Sequence, residues 1–420
     1  MSKMLGKPHY SYRFAEAKFL AAFAAAEMPL PLLRMPEYFS SSSALPGASA
    51  EPEDAIAHLI FRSTEEIRLL KAGYNICAFA WEFEVLKDFT KPNEHPFLNQ
   101  KRMLSICDEI WVPCQFTMDV LAEHGIDNVH VIPAPIPLPT TARPDRTEAL
   151  ASIGHIGVMP FYYNFLQSHG ENAQACLERS QSLIDWLAPR MQGSEPPLVY
   201  LSVLNPEDFR KNLDALLRGF HFFQKENPRA CLIVKILTAA DRFSLDRAIA
   251  EVISNKLASG SMFANDNIVF MNRYLPDEEM SALYSLADFY LSATSAEGQN
   301  LPLLEAMAHG TVPVSTRNTA MLDYIDEQDA FVIAGRSVPA YTEHLAGAIA
   351  GKPFNIDFST ARDVYEALTR SAAASLSQRA AKAHAAREAV RRYFSPEAVW
   401  PLVLERLAAV PSLATLERAA

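Results

Sequence analysis

Residues 292–310 read SATSAEGQNLPLLEAMAHG, with Glu297 and Glu305 eight positions apart around a turn that leads into a helix. An ionised carboxylate is a pure hydrogen-bond acceptor and takes two hydroxyl donors at once. Two of them in one place therefore suit a ligand with vicinal hydroxyls. The unpaired N–H groups of the helix start, here around Gly298 to Leu303, offer an anion site alongside, and Asn300 tolerates a left-handed backbone. A molecule with a diphosphate in its middle and a diol at each end is a nucleotide-sugar. The plainer reading is a capped surface helix, because acids near a helix N-terminus are ordinary. The flanking elements decide between the two.

DFYLSAT reads as a strand, SAEGQN as the loop leaving its carboxyl end, and LPLLEAMAH as a short helix closed by Gly310, with TVPVST the next strand. The alternation extends upstream from PLVYLSVL near residue 197. NLDALLRGFHFFQKENP follows as a helix with Leu213, Leu216, Leu217 and Phe220 on one face, then strand ACLIVKIL, a further helix, strand NIVFM and helix PDEEMSALYSLA. A first alternating unit precedes it: AHLIF, a helix through STEEIRLLK, and strands YNICAFA, EIWVP and VHVIP, leaving through the prolines of residues 133–139. Residues 40–54 form a Ser/Pro-rich loop. Residues 151–193, HIGVMPFYYNFLQ followed by LERSQSLIDWLAPRM, read as a helical, aromatic insertion without a strand. The expected class is α/β, two Rossmann-like domains whose parallel sheets face a central cleft at their carboxyl ends.

Bulk properties bound the function. The 420 residues exceed one core and imply at least two domains. A net charge of -11 argues against a nucleic-acid binder, which needs clustered Lys and Arg. The 5 cysteines are scattered without a paired C-x-x-C spacing, as reduced cytoplasmic thiols are. The early apolar run from Phe19 to Leu33 is interrupted by Glu27 and two prolines and is too short to span a bilayer. It reads as a helix ending before Pro29, and its apolar face leaves room for an interfacial membrane contact.

The run E-G-x-x-L-P-x-L-E-A-M-A-x-G followed by T-V-P-V resembles the E-x7-E signature of the retaining glycosyltransferases of family 4, which have the GT-B fold. The resemblance extends through NIVFMNRYLPDEEMSALYSLADFYLS, LSVLNPEDFRKNLDALLRGF, and, in the first domain, YNICAFAWEFE, DEIWVPCQFT and VHVIPAPI. It implies an N-terminal acceptor-side domain over 1–195, including the insertion at 151–193. It implies a nucleotide-sugar-binding domain over 196–390 and C-terminal helices over 391–420 that cross back to the first domain.

By the same resemblance Glu297 holds hydroxyls of the donor sugar and Glu305 those of the ribose. Arg210 and Lys211 neutralise the diphosphate, Gly298, Gln299, Asn300 and Leu301 line the turn, and Arg273 and Tyr274 meet the base. Taken alone, Arg210 and Lys211 would be a solvated basic pair. The family also places a histidine of the first domain near the donor sugar, for which His95 is the nominee, while Trp81 and Glu82 at a strand end are candidates to face the acceptor.

The implied reaction moves a hexose from a UDP- or GDP-sugar to a hydroxyl of a saccharide or lipid-linked saccharide, with retention and by front-face substitution. No D-x-D element occurs, so no metal and no further cofactor is expected. The implied setting is bacterial polysaccharide or glycolipid assembly in the cytoplasm, with room for peripheral contact at the inner face of the membrane. A sugar-nucleotide epimerase or hydrolase, or a non-catalytic partner subunit on the same fold, remains as an alternative.

Overall fold

The computed structural model describes residues 9–27, 57–70, 73–90, 93, 95–163, 179–193, 195–206, 208–236, 263–340 and 354–411. The expected loop at 40–54 and the helix expected after ACLIVKIL lie outside these residues, as does Cys176. The chain divides into two compact units, one built from Lys7–Ile136, Pro339–Asn355 and Arg392–Ala420, the other from Pro137–Val338 and Ile356–Arg391. No helix among the described residues is long and apolar enough to cross a membrane.

In the first unit β1 (Ala57–Ile60), β2 (Tyr74–Ala78), β3 (Glu109–Val112) and β4 (Val129–Val131) lie side by side in chain order, all parallel. A parallel sheet must be covered on both faces. Ile110 and Val112 pack with Val120 and Leu121 of helix Gln115–Glu123. Trp111 points the other way and meets Phe19 of helix His9–Ala25, ring centroids 6.1 Å apart. Phe23 of that helix packs edge-on against Trp400 of helix Pro396–Ala408 at 5.3 Å. Phe19 and Phe23 of the early helix are thus packed on Phe61, Trp111 and Trp400, while Phe14 stays exposed. Arg406 also reaches this sheet, donating to both oxygens of the fully buried Glu109 at 3.0 and 2.9 Å.

The second unit holds an eight-stranded sheet in the order β12-β11-β10-β7-β8-β9-β5-β6. Its strands are β5 (Gly157–Tyr163), β6 (Gln181–Ser182), β7 (Leu198–Leu204), β8 (Ala230–Ile236), β9 (Phe263–Asn272), β10 (Phe289–Ser292), β11 (Val312–Thr316) and β12 (Phe331–Ile333). Strands β7 to β12 are mutually parallel, while β5 runs antiparallel to β9 and β6 antiparallel to β5. One face is covered by helix Leu213–Glu226, whose Leu216, Leu217, Phe220 and Phe223 are fully buried, each worth about 2 kcal/mol of burial. Helix Ala361–Ala373 packs on the same core through Val364 and Leu368. Gly219 makes that approach available: a Cβ there would stand 2.7 Å from both the Ala361 carbonyl and Val364 Cβ.

Two expectations are corrected. STEEIRLLK is no helix but a single 3-10 turn, Thr64–Glu66, because Asn75 captures the following backbone in an open form, accepting from Leu70 N at 2.7 Å and donating to Leu70 O at 3.2 Å. Residues 151–193 are not an all-helical insertion. They contribute β5 and β6 to the second sheet, so the compact units part at Ile136 and Pro137 and not near residue 195. Pro160 concealed that strand: proline is admitted to a sheet at bulges, and the register against β9 shifts between Pro160 and Phe161. In the first unit, His95 and Trp81 each have a partner close by in the chain. The His95 ring accepts from Phe97 N, and Trp81 Nε1 donates to Val85 O at 3.0 Å with its ring stacked on Phe79.

Candidate functional site

The order of the second sheet singles out one place. From β7 the chain lays β8 and β9 to one side and β10 to β12 to the other. The carboxyl ends of β7 and β10 therefore flank a topological switch point, where open parallel sheets take their ligands. The segments leaving these two ends carry the sequence candidates.

After β7 the chain makes a 3-10 turn, Phe209–Lys211, and passes through the left-handed Asn212 before the next helix begins. The carbonyl of Arg210 ties this turn to the loop after β10, accepting from Ser295 N at 2.7 Å and from Thr294 Oγ1 at 3.1 Å. Held in this way, Lys211 reaches across and donates from Nζ to Glu297 Oε1 at 2.5 Å. Both side chains are largely removed from water, with exposures of 19% and 8%. Thr319 braces the backbone of Glu297, accepting from its N–H at 2.8 Å and donating to its carbonyl at 2.9 Å.

Asn300 adopts a left-handed conformation, φ 59 and ψ 59, and opens helix Leu301–Ala308. Its side-chain amide donates to Ser292 Oγ at 3.3 Å. Among the described residues the amides of Gly298, Asn300 and Leu301 have no acceptor. Gln299 is fixed through its carbonyl, which accepts from Tyr324 Oη at 2.7 Å. Lys211, Glu297 and Asn300 line one recess with Ser202, Leu204 and Thr294.

Other candidates stand apart from that recess. Arg210 is clamped by Asp208, Nε to Oδ1 at 3.0 Å and Nη2 to Oδ2 at 2.7 Å. Burial pushes the Asp208 carboxyl up, but the charges of Arg210 and Lys211 and the bonds from Arg210 outweigh it and hold it below its ordinary value. Glu305 is the fifth residue of this helix, just past its first turn, and accepts from Tyr284 Oη at 2.7 Å. Burial first, and the charges of Glu297 and Glu305 after it, push the Tyr290 phenol up. Both acids thus bear on the Tyr290 ring. Arg273 and the half-exposed Tyr274 leave β9 two strands away from β7. Sequence reasoning passed over Thr319, Tyr284 and Lys235. Only Lys235 left a signal, as the sole charge in the apolar strand ACLIVKI.

Residues 195–350 match the family of glycosyl transferases group 1. Over 160 residues the chain is 29% identical to an alpha-monoglucosyldiacylglycerol synthase of Streptococcus pneumoniae, covering 38% of this chain and 32% of that protein. Over 194 residues it is 24% identical to the serotype-specific mannosyltransferase WbdA of Escherichia coli, covering 44% of this chain and 23% of the other. The chain thus aligns with a third or less of the length of these relatives. Among solved structures, an alpha,alpha-trehalose 6-phosphate synthase from Burkholderia multivorans superposes with a TM-score of 0.53 at 12% identity, over 94% of this chain and 76% of that one. A UDP-forming trehalose-phosphate synthase from Burkholderia vietnamiensis gives 0.50 at 13%, over 82% and 68%. The fold is that of the GT-B glycosyltransferases.

Proposed function

We propose that the protein is a retaining glycosyltransferase that moves a hexose from a UDP- or GDP-sugar to a hydroxyl of a saccharide or lipid-linked saccharide acceptor. The observation that carries this reading is the Lys211–Glu297 pair at the switch point, beside the unpartnered amides that open helix Leu301–Ala308. A cation, a hydroxyl acceptor and free N–H donors converge there, which is the donor set a sugar diphosphate requires. The match over residues 195–350 spans this constellation and supports the reading.

In the proposed reaction the diphosphate rests on the amides of Gly298, Asn300 and Leu301, and Lys211 neutralises it. Glu297 accepts from hydroxyls of the hexose, and Glu305 from those of the ribose. The bond from the anomeric carbon to the phosphate oxygen breaks with its electron pair leaving on the diphosphate. The acceptor oxygen bonds to the same face of that carbon, and its proton passes to the departing phosphate. Positive charge placed where the leaving group develops negative charge lowers the barrier. Lys211 and the helix amides supply it with no divalent metal assigned, while Arg210 contributes through the neighbouring Asp208 pair. A glycolipid synthase and a mannosyltransferase among the relatives favour a role in bacterial glycolipid or polysaccharide assembly, in the cytoplasm and at the inner face of the membrane when the acceptor is lipid-linked.

The test is thermal-shift screening against UDP, GDP and their sugars, followed by product analysis. A nucleotide that binds the folded state raises the melting temperature, and with acceptor present the product keeps the anomeric configuration of the donor. Absence of any nucleotide effect would overturn the reading. Rapid epimer formation without acceptor would replace it with an epimerase, and binding without turnover across a broad acceptor panel with a non-catalytic subunit.

A further inference from the structure

Lys235 has no place in the reaction just described, yet it is only 7% exposed and near the carboxyl end of β8. Ala230, Leu232, Val234 and Ile236 of this strand join the core under helix Leu213–Glu226, so alternation turns Lys235 to the opposite face. The charged group acting on it there is Glu305, from helix Leu301–Ala308, which in turn accepts from Tyr284 Oη of helix Asp277–Leu286. Its neighbours across the sheet, Val203 and Met271, are neutral. Burial pulls the ammonium down to about 8 against the charge of Glu305. No hydrogen bond or ion pair holds it among the described residues. A buried ammonium without an acceptor is costly.

The sheet order indicates what the acceptor is. Lys211 and the helix amides stand over β7 and β10, and Arg273 stands over β9, with β8 between. Two strand spacings separate β7 from β9, about 10 Å, so a nucleotide with its diphosphate at the first place and its base at the second crosses the end of β8. We infer that Lys235 reads the nucleoside half of the donor, donating a hydrogen bond to an acceptor oxygen there while Glu305 takes the ribose hydroxyls. The protein would then hold this half of the ligand between side chains of opposite charge, one accepting only and one donating only. Lys235 is in this sense a specificity-determining residue of the donor site, and the inference rests on the nucleotide-sugar reading above.

The experiment is calorimetric titration of the full chain with UDP, GDP and inorganic pyrophosphate, for wild type and Lys235→Met. The variant is expected to lose about tenfold or more in affinity for the nucleotide the wild type prefers, the usual scale for a charged hydrogen bond, with pyrophosphate affinity unchanged. Wild-type nucleotide affinity should also fall about fourfold between pH 7 and pH 8.5 as the ammonium deprotonates, a fall the variant lacks. That pH series on wild type decides the matter even if the variant does not fold, since a flat profile overturns the inference. Equal loss of pyrophosphate binding would move Lys235 to the diphosphate, and unchanged nucleotide affinity would leave it a distant counter-charge for Glu305. Either result overturns the inference alone, whereas a wild type that binds no nucleotide overturns the functional reading with it.

Discussion

Lys211→Met separates what the Lys211–Glu297 pair does for folding from what it does for chemistry. Removing one partner of a fully buried ion pair costs about 3–5 kcal/mol. Here the lysine retains 19% exposure and the Thr319 bonds hold the Glu297 backbone whatever stands at 211, so we expect about 2 kcal/mol. Glu297→Gln leaves Lys211 the more hydrated of the two and keeps an acceptor oxygen, at about 1 kcal/mol. The double variant no longer strands a charge and should recover about 1–2 kcal/mol of the summed loss. Turnover should behave differently. Lys211→Met removes charge from the leaving diphosphate, a loss of about 10²–10³ in kcat, and the double variant should be no faster. Chemical denaturation of the four proteins gives the first cycle and donor turnover under saturating acceptor the second. Strictly additive stability losses, or turnover that returns in the double variant, would refute the reasoning.

Two further outcomes follow from local geometry. Asn300→Ala should cost about 1–2 kcal/mol because alanine resists the left-handed backbone that Asn300 adopts. Asn300→Gly should cost less, and an alanine variant melting with wild type would contradict a conformational origin. Asp329, 7% exposed and accepting from Asp326 N at 2.9 Å, has its carboxyl pushed up to about 6 by burial. Stability from this residue is complete below its unfolded value near 3.9, falls as pH rises toward 6, and stays low above. Asp329→Asn should therefore raise the melting temperature at pH 7–8 and leave it unchanged near pH 3.5. A gain of equal size at both pH values would show that ionisation is not the cause.

The stretch around Glu297 was readable because several local rules agree there. A four-residue apolar strand, a polar loop, an asparagine suited to positive φ and a glycine at the helix end, Gly310 with φ 73, all specify one strand-turn-helix unit. The Lys211–Glu297 contact was not readable as such, since it joins residues 86 apart through the turn Arg210 anchors. The direction of Glu305 was not readable either: the helix starts at Leu301, and one residue of uncertainty in a helix start moves a side chain by about 100° around the axis. β5 was hidden by Pro160, whose bulge depends on the strand opposite. The helix expected over STEEIRLLK lost to a tertiary contact, the grip of Asn75 on Leu70, which no local propensity contains.

The bond between Glu109 and Arg406 spans 297 positions. Translation delivers the carboxylate long before its guanidinium, so any earlier closure of this sheet would bury an anion without its counter-charge. The unit ending at Arg391 has its whole complement on the ribosome's outer side earlier. The sheet of β1 to β4 is therefore sealed only once residue 406 has been added, and lesions near that residue strike a sheet some three hundred positions away.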